Sequence, residues 1–445
     1  MERILELAKK KADQAEVFRI EKRSEPACFF GGKLTALETE EMLATGLRVV
    51  VNGKLGFSST THPDEGESLV LRALESAEFG PNADLEFPSA VRHFGAGKFY
   101  DPAVIDLSSE KQIEIGEEMI EIVQSSFPDV NLEVEVTKEA QRVSIMNSHG
   151  GDVSYERSLF QAFLNVLWIL ESDRAELEHT YTSIKLTNGP QQMAHDAVWR
   201  FNHCRRVAPI ETKKMTVIFT SLGFRGLFVP LFYGFNGDLV ARKLSLLSDK
   251  LNQHIVDPRI VLADDPTNER YPGSCPVDDE GVLTNKNILI DKGILKSFIF
   301  DLRSSHRLGL KSSGNGFKKS SLYTGFSVDA QPNPTPSTFV IEPGTISRDE
   351  LIASVKEGII VDDTMGAGQG NNLNGEFSMN VALGYKIENG QIVGRVKDVM
   401  VAGNVFEIFQ HNLRNMTQET WPEDTLFGRY CVPWIAFDDM PVSAT

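Results

Sequence analysis

A chain of 445 residues with 41% hydrophobic and 24% charged residues has the composition of a folded protein and is too long for one ordinary core, which excludes wholesale disorder and points to two or three domains. The formal net charge of −17 works against nucleic acid, because that partner is held by Lys and Arg on phosphates, and the basic clusters Lys9–Lys11 and Lys318–Lys319 are short. No window approaches the ~20 apolar residues of a membrane span, and the opening MERILELAKKKADQAEV is charged where a signal peptide is apolar, so a cytoplasmic protein is expected.

Ile4, Leu5, Ala8, Ala12 and Ala15 recur at helical spacing, predicting an amphipathic helix over residues 2–17. The period then falls to two in Glu16–Arg23 and again in Lys33–Glu40. Apolar runs flank Asn52-Gly53 within Gly46–Ser58, the strongest short hairpin signal, since both central residues of a type I′ turn need positive φ. Helical period returns over Glu65–Ala77, and again from a cap at Asp106 or Ser108 to just before Pro128. Alternation over Asn131–Asn147 and the run SLFQAFLNVLWILES predict further strands, with Phe160–Leu170 buried on both faces. Gln191–Arg206 reads as a helix leading out of a first domain.

Met215–Thr220 is an apparent strand, followed by SLGFRGLFVPLFYGF and a helix over Leu239–His254. Hairpins are expected around Asp291-Lys292-Gly293 and Asn389-Gly390. The fold class expected is α+β: an N-terminal α/β domain with a mixed sheet and helices over residues 1–207, and a mainly antiparallel β domain over 208–445.

Chemistry is hard to find by spacing. HExxH, GxxxxGK[ST] and GxSxG are absent, and Gly366-Ala367-Gly368-Gln369-Gly370 lacks the Lys and the helix of a phosphate loop. None of the nine histidines lies four or five residues from another; His195 and His203, with Cys204, form the only local cluster and would leave zinc underfilled. Cys28, Cys204, Cys275 and Cys431 are scattered and read as buried free thiols. The acid runs Asp264-Asp265 and Asp278-Asp279-Glu280 read as solvated turns.

A set of motifs in fixed order resembles the TldD/PmbA family over nearly the whole chain. It comprises GLRVVVNGKLGFSSTT (Gly46–Thr61), DDEGV (Asp278–Val282), NILIDKGILKSFIFD (Asn287–Asp301), SSGNGF (Ser312–Phe317), GAGQGNNLNGEFSM (Gly366–Met379) and YKIENGQIVGRVKDVMVAGN (Tyr385–Asn404). The resemblance implies a cytoplasmic peptidase system, once named for modulation of DNA gyrase, in which a TldD-type and a PmbA/TldE-type subunit enclose a cavity that admits unfolded peptide. Only the TldD type carries H-E-x-x-x-H on a helix, completed by a Cys near the C-terminus.

Aligning GFNGD (Gly234–Asp238) with the G-x-x-G-D that follows the zinc helix puts Phe228, Val229 and Tyr233 at the His, Glu and His positions. Phe and Val offer no lone pair, and a phenol of pKa about 10 is a poor zinc ligand near neutrality. Read without the family, LGFRGLFVPLFYGF is an apolar core segment broken by Pro230. Cys431 is taken as structural, since FGRYCVPW does not resemble the family's C-G-K setting.

The expectation is therefore a PmbA/TldE-like subunit with no catalytic residue and no metal of its own. It would pair with a TldD-type subunit or with itself as a dimer, and would help present unfolded peptide. Gly314, Asn315, Gly316, Phe317, Gly366, Gly368, Gln369 and Gly370 are the candidate peptide-binding residues. The alternatives are a stand-alone zinc peptidase with ligands drawn from His195, His203, His254 or His306, and a non-enzymatic regulator of gyrase.

Overall fold

A computed structural model of the chain describes residues 1–170, 173–319, 328–426 and 428–444. The N-terminal sheet is built on two long antiparallel strands, Gln14–Phe30 and Asn131–Asn147. Its order runs Lys54–Thr60, Glu40–Val51, Gln14–Phe30, Asn131–Asn147, Asp152–Leu170, with Val91–His93 parallel to the last; Lys33–Leu37 hooks onto Gln14–Phe30, and Asp173–Ser183 onto Asp152–Leu170. Strict alternation along Gln14–Phe30 decides what each face meets. Ala15 and Val17 lie beneath the helices Glu2–Ala8 and Gly66–Glu78, and Ala27 and Phe29 beneath Ser109–Ser126. On the opposite face Phe18 and Ile20 pack against Cys275 and Val277 of the C-terminal half.

Two expectations change here. The opening helix stops at Ala8 because the sheet takes the next apolar residues: Ala15 and Val17 pair with Val49 and Leu47. The run Phe160–Leu170 is not buried on both faces. Phe160, Ala162, Leu164 and Val166 are buried, but the residues between them are partly exposed and Ile169 is 61% exposed. Glu171 and Ser172, the expected end of that strand, lie outside the described residues.

The helix Gly189–Asn202 leaves the first sheet, and Lys213–Phe219 enters the second. Lys213–Phe219 is parallel to Glu357–Met365 and antiparallel to Gly428–Ala444; the latter connects through Val399–Asn404 and Glu376–Glu388 back to Glu357–Met365, so these strands close into a ring. An outer ribbon of Phe339–Ile341, Leu262–Asp264, Asn287–Asp291 and Ile294–Leu295 continues from Gly428–Ala444. The architecture is α+β, with a strand-rich C-terminal part whose pairings are mostly antiparallel. The hairpins turn where the sequence places them: Asn52, Lys292 and Asn389 have φ of 50, 47 and 49°, each followed by a glycine at 74 to 80°. Among the described residues no helix is long and apolar enough to cross a membrane.

The expected helix over Leu239–His254 is only Gly237–Ala241. Lys243, at φ 54°, turns the chain out of helical geometry, and Leu247 is drawn into the core instead. Pro230 does not break its helix either: Arg225–Phe235 runs through it. An interior proline loses one backbone hydrogen bond and crowds the carbonyl four residues back, here that of Gly226. Burial of Leu227, Phe228, Leu231 and Phe235 in one core outweighs that loss.

The N-terminal sheet is tied to the C-terminal half by buried charge. Arg48, from Glu40–Val51, contacts Glu16 at 2.6 Å and Glu280 at 2.7 Å, all three side chains being at most 4% exposed. The acid runs expected to be solvated are thus interior. Asp278 accepts from the backbone N–H groups of Glu280, Val282 and Gly316, and Asp264 from Thr338 N–H, Ser337 Oγ and Asn315 Nδ2. Several donors converging on one carboxylate make such burial tolerable. Lys318 is buried too, its Nζ lying 4.7 Å from the Phe57 ring centre and donating to Ala330 O.

Candidate functional site

The helix Arg225–Phe235 starts one turn after Lys213–Phe219, so the strand ring fixes its position. The turn is held by Thr220, whose Oγ accepts from Gly223 N–H and donates to Asp362 O. Arg225 is anchored by Asp363 and by the Thr364 carbonyl. Helical spacing then sends positions 228 and 233 in different directions, since residues five apart on a helix are about 140° apart.

Phe228 enters the core and is 1% exposed. Its ring stacks on Phe232 at 6.3 Å and packs against Tyr430 at 5.2 Å and Phe339 at 5.7 Å. Gly428 is required opposite it, because a Cβ there would come within 2.5 Å of the ring. Tyr233 instead lines a cleft of about 470 Å³, together with Val229, itself only 1% exposed, and with Asp238, Asp301, Arg303 and Lys319. Burial raises the Tyr233 phenol above its ordinary pKa, so it is a neutral hydroxyl near pH 7.

Zinc does not fit this side-chain set. Phe228 and Val229 carry no donor atom, and the protonated Tyr233 presents no phenolate. Cys431 is no substitute, because the alternation of Gly428–Ala444 turns it away. Tyr430 faces Phe228, so its neighbour Cys431 points to the opposite face, where it is 2% exposed and burial raises its thiol pKa. The histidines of the alternative reading lie on separate elements. His195 is on Gly189–Asn202, His203 caps that helix and packs on Trp199, His254 sits in a turn bridged to Ile294, and His306 is on Leu302–Arg307. Among the described residues no group of three or more His, Cys, Asp or Glu side chains could hold a metal ion.

Neither candidate peptide loop lines the cleft itself; each reaches only a residue that does. Gly368 approaches the helix, where an added Cβ would lie 3.8 Å from Val229 Cγ1, and Gln369 and Gly370 are exposed beside it. Gly314, Asn315 and Gly316 are buried, and Phe317 is partly buried against the Phe18 cluster. Asn315 Nδ2 donates to Asp264 Oδ2 and to Thr335 O, and Thr335 lines the cleft. Nothing in the sequence singles out Asp238, Asp301, Arg303 or Lys319 as residues of one site. Lys318–Lys319 was visible as a pair, but nothing in its spacing showed that the chain folds over it.

These features define an α+β protein with a helix-and-cleft site whose helix has no metal-binding side chain. The PmbA/TldA metallopeptidase C-terminal domain matches residues 212–444, its domain 1 matches 15–77 and its central domain matches 102–182. The chain therefore belongs to the PmbA/TldD family of metallopeptidase-like proteins. It is 24% identical to an uncharacterised protein of Methanocaldococcus jannaschii, over 92% of this chain and 93% of the relative. It is 26% identical to a metalloprotease of Archaeoglobus fulgidus, over 89% and 90% respectively. Its fold superposes on the crystal structure of TldE from Thermococcus kodakarensis with a TM-score of 0.86 at 22% identity, covering 100% of this chain and 99% of that one.

Proposed function

We propose that this chain is a TldE-like, non-catalytic subunit that helps a TldD-type zinc peptidase enclose and present unfolded peptide in the cytoplasm. The observation that carries the reading is the helix Arg225–Phe235. Where the family's catalytic type needs two zinc ligands and a general base, Phe228 is a fully packed core residue and Val229 and Tyr233 are cleft wall. A zinc peptidase works by lowering the pKa of a bound water to about 7, which requires a ligand set with an open position. The frame around the missing centre is intact, with a closed strand ring, a helix lodged against it and a cleft at the helix surface. The likeness to TldE and the match to a metalloprotease over 89% of this chain agree with a subunit of such a system. Peptide held by main-chain pairing beside the Gly366–Gly370 loop would tolerate varied sequence, as presentation of unfolded chains requires.

The test is a mixing experiment with an unfolded peptide substrate in zinc-supplemented buffer. The chain alone is expected to leave the peptide intact, and cleavage is expected only with a TldD-type subunit present. Turnover by the purified chain alone, removed by a chelator and restored by zinc, would overturn the reading.

A further inference from the structure

The charges of the cleft beside Arg225–Phe235 are unevenly partnered. Its acids are accounted for. Asp238 pairs with Arg242 at 3.3 Å and with Arg307 at 2.9 Å. Asp301 caps the helix Leu302–Arg307 by accepting from Ser304 N–H, and burial, followed by the Glu280 charge, raises its pKa to about 6. Its cations are not. Among the described residues neither Arg303 nor Lys319 has an ion-pair or hydrogen-bond partner for its side chain, although both are partly buried. The cleft amides do not compensate, since Asn236 Nδ2 donates to Pro334 O and Asn333 Nδ2 to Lys319 O. The Tyr233 hydroxyl has no partner among the described residues either.

A cation withdrawn from water without a counter-ion is destabilising, and an anion offering charge-assisted hydrogen bonds offsets that cost. Burial and the nearby Arg429 guanidinium lower the Lys319 pKa to about 8, against the pulls of Asp424, Asp279 and Asp264, so the ammonium is still mostly charged near pH 7. Arg303 adds a planar fork suited to a two-oxygen acceptor. In a chain of net charge −17 this pairing of free cations is a local exception, acting at contact distance rather than by long-range attraction.

We propose that the cleft binds a carboxylate of the presented peptide, held by Lys319 and Arg303 with the Tyr233 hydroxyl as a further donor. The inference rests on the peptide-presenting reading above and adds to it a preference for one chemical group. The carboxylate can come from a peptide C-terminus or from an Asp or Glu side chain.

Fluorescence anisotropy with an N-terminally labelled unfolded peptide distinguishes these sources. Three forms are compared on the full chain: free C-terminal acid, C-terminal amide, and the acid with its internal Asp and Glu changed to Asn and Gln. The carboxylate-bearing form is expected to bind about tenfold more tightly than the form lacking it, the size of one lost charge-assisted hydrogen bond. Lys319→Met and Arg303→Met are each expected to bring that ratio to within about twofold, while Lys319→Arg and the wild type keep it. Sensitivity to amidation identifies the C-terminus, and sensitivity to the internal changes identifies side chains. Equal binding of all three forms overturns the carboxylate site and leaves peptide presentation standing; binding of none overturns both.

Discussion

Phe228 sits between Tyr430, Phe339 and Phe232 with no room to spare at Gly428, so truncating it empties a volume that its neighbours cannot fill. Phe228→Ala is expected to cost about 3–5 kcal/mol of stability by chemical denaturation. A loss under about 1 kcal/mol would mean that the position is not core. Asp264 supplies a second prediction. Burial raises its pKa to about 6, against hydrogen bonds from Asn315, Thr338 and Ser337 that act the other way. The folded state then binds this proton more tightly than the unfolded state, so the contribution is complete below the unfolded pKa and declines as pH rises to about 6. The melting temperature of wild type minus that of Asp264→Asn should therefore fall between about pH 4 and pH 6 and level off above. A difference that rises over that range would contradict the assignment. At this scale the lack of donor atoms on Phe228 and Val229 was legible in the sequence, because donor atoms belong to residue identity. The direction of Cys431 and the burial of Asp278, Asp279 and Glu280 were not, since each depends on strand register and on partners such as Arg48, 232 residues away from Glu280.

Between elements, the strand Glu40–Val51 and the turn carrying Glu280 are tied by a single guanidinium serving two buried carboxylates. Removing the cation leaves two acids buried together, which is worse than never having buried the group. Arg48→Met is expected to destabilise the protein by about 3–5 kcal/mol, and removing one of the two unpaired acids with Glu280→Gln in the same chain should recover part of it. Additive losses in a double-mutant cycle would show that the two side chains do not act as a pair. Elements with a local cause were readable from sequence: the turns at Asn52-Gly53, Lys292-Gly293 and Asn389-Gly390 are fixed by which residues accept positive φ. Elements decided by tertiary competition were not. Residues 239–254 have helical spacing, yet Leu247 serves the core better from an irregular segment, and Pro230 stays helical because its neighbours are buried.

For the whole molecule, the ring of strands, the lodged helix and the cleft form a peptidase-like frame around a position without metal-binding chemistry. The family was legible from ordered motifs spread along the chain, but the cleft was not, because Tyr233, Asp301, Arg303 and Lys319 come from segments separated in sequence. Elemental analysis of the chain purified alone, after incubation with excess zinc and removal of unbound ion, shows whether it has a hydrolytic metal centre of its own. Less than about 0.1 zinc per chain is expected, since a site lacking its ligands has no affinity to retain the ion. One tightly held zinc per chain, lost on substitution of residues lining the Tyr233 cleft, would contradict that expectation.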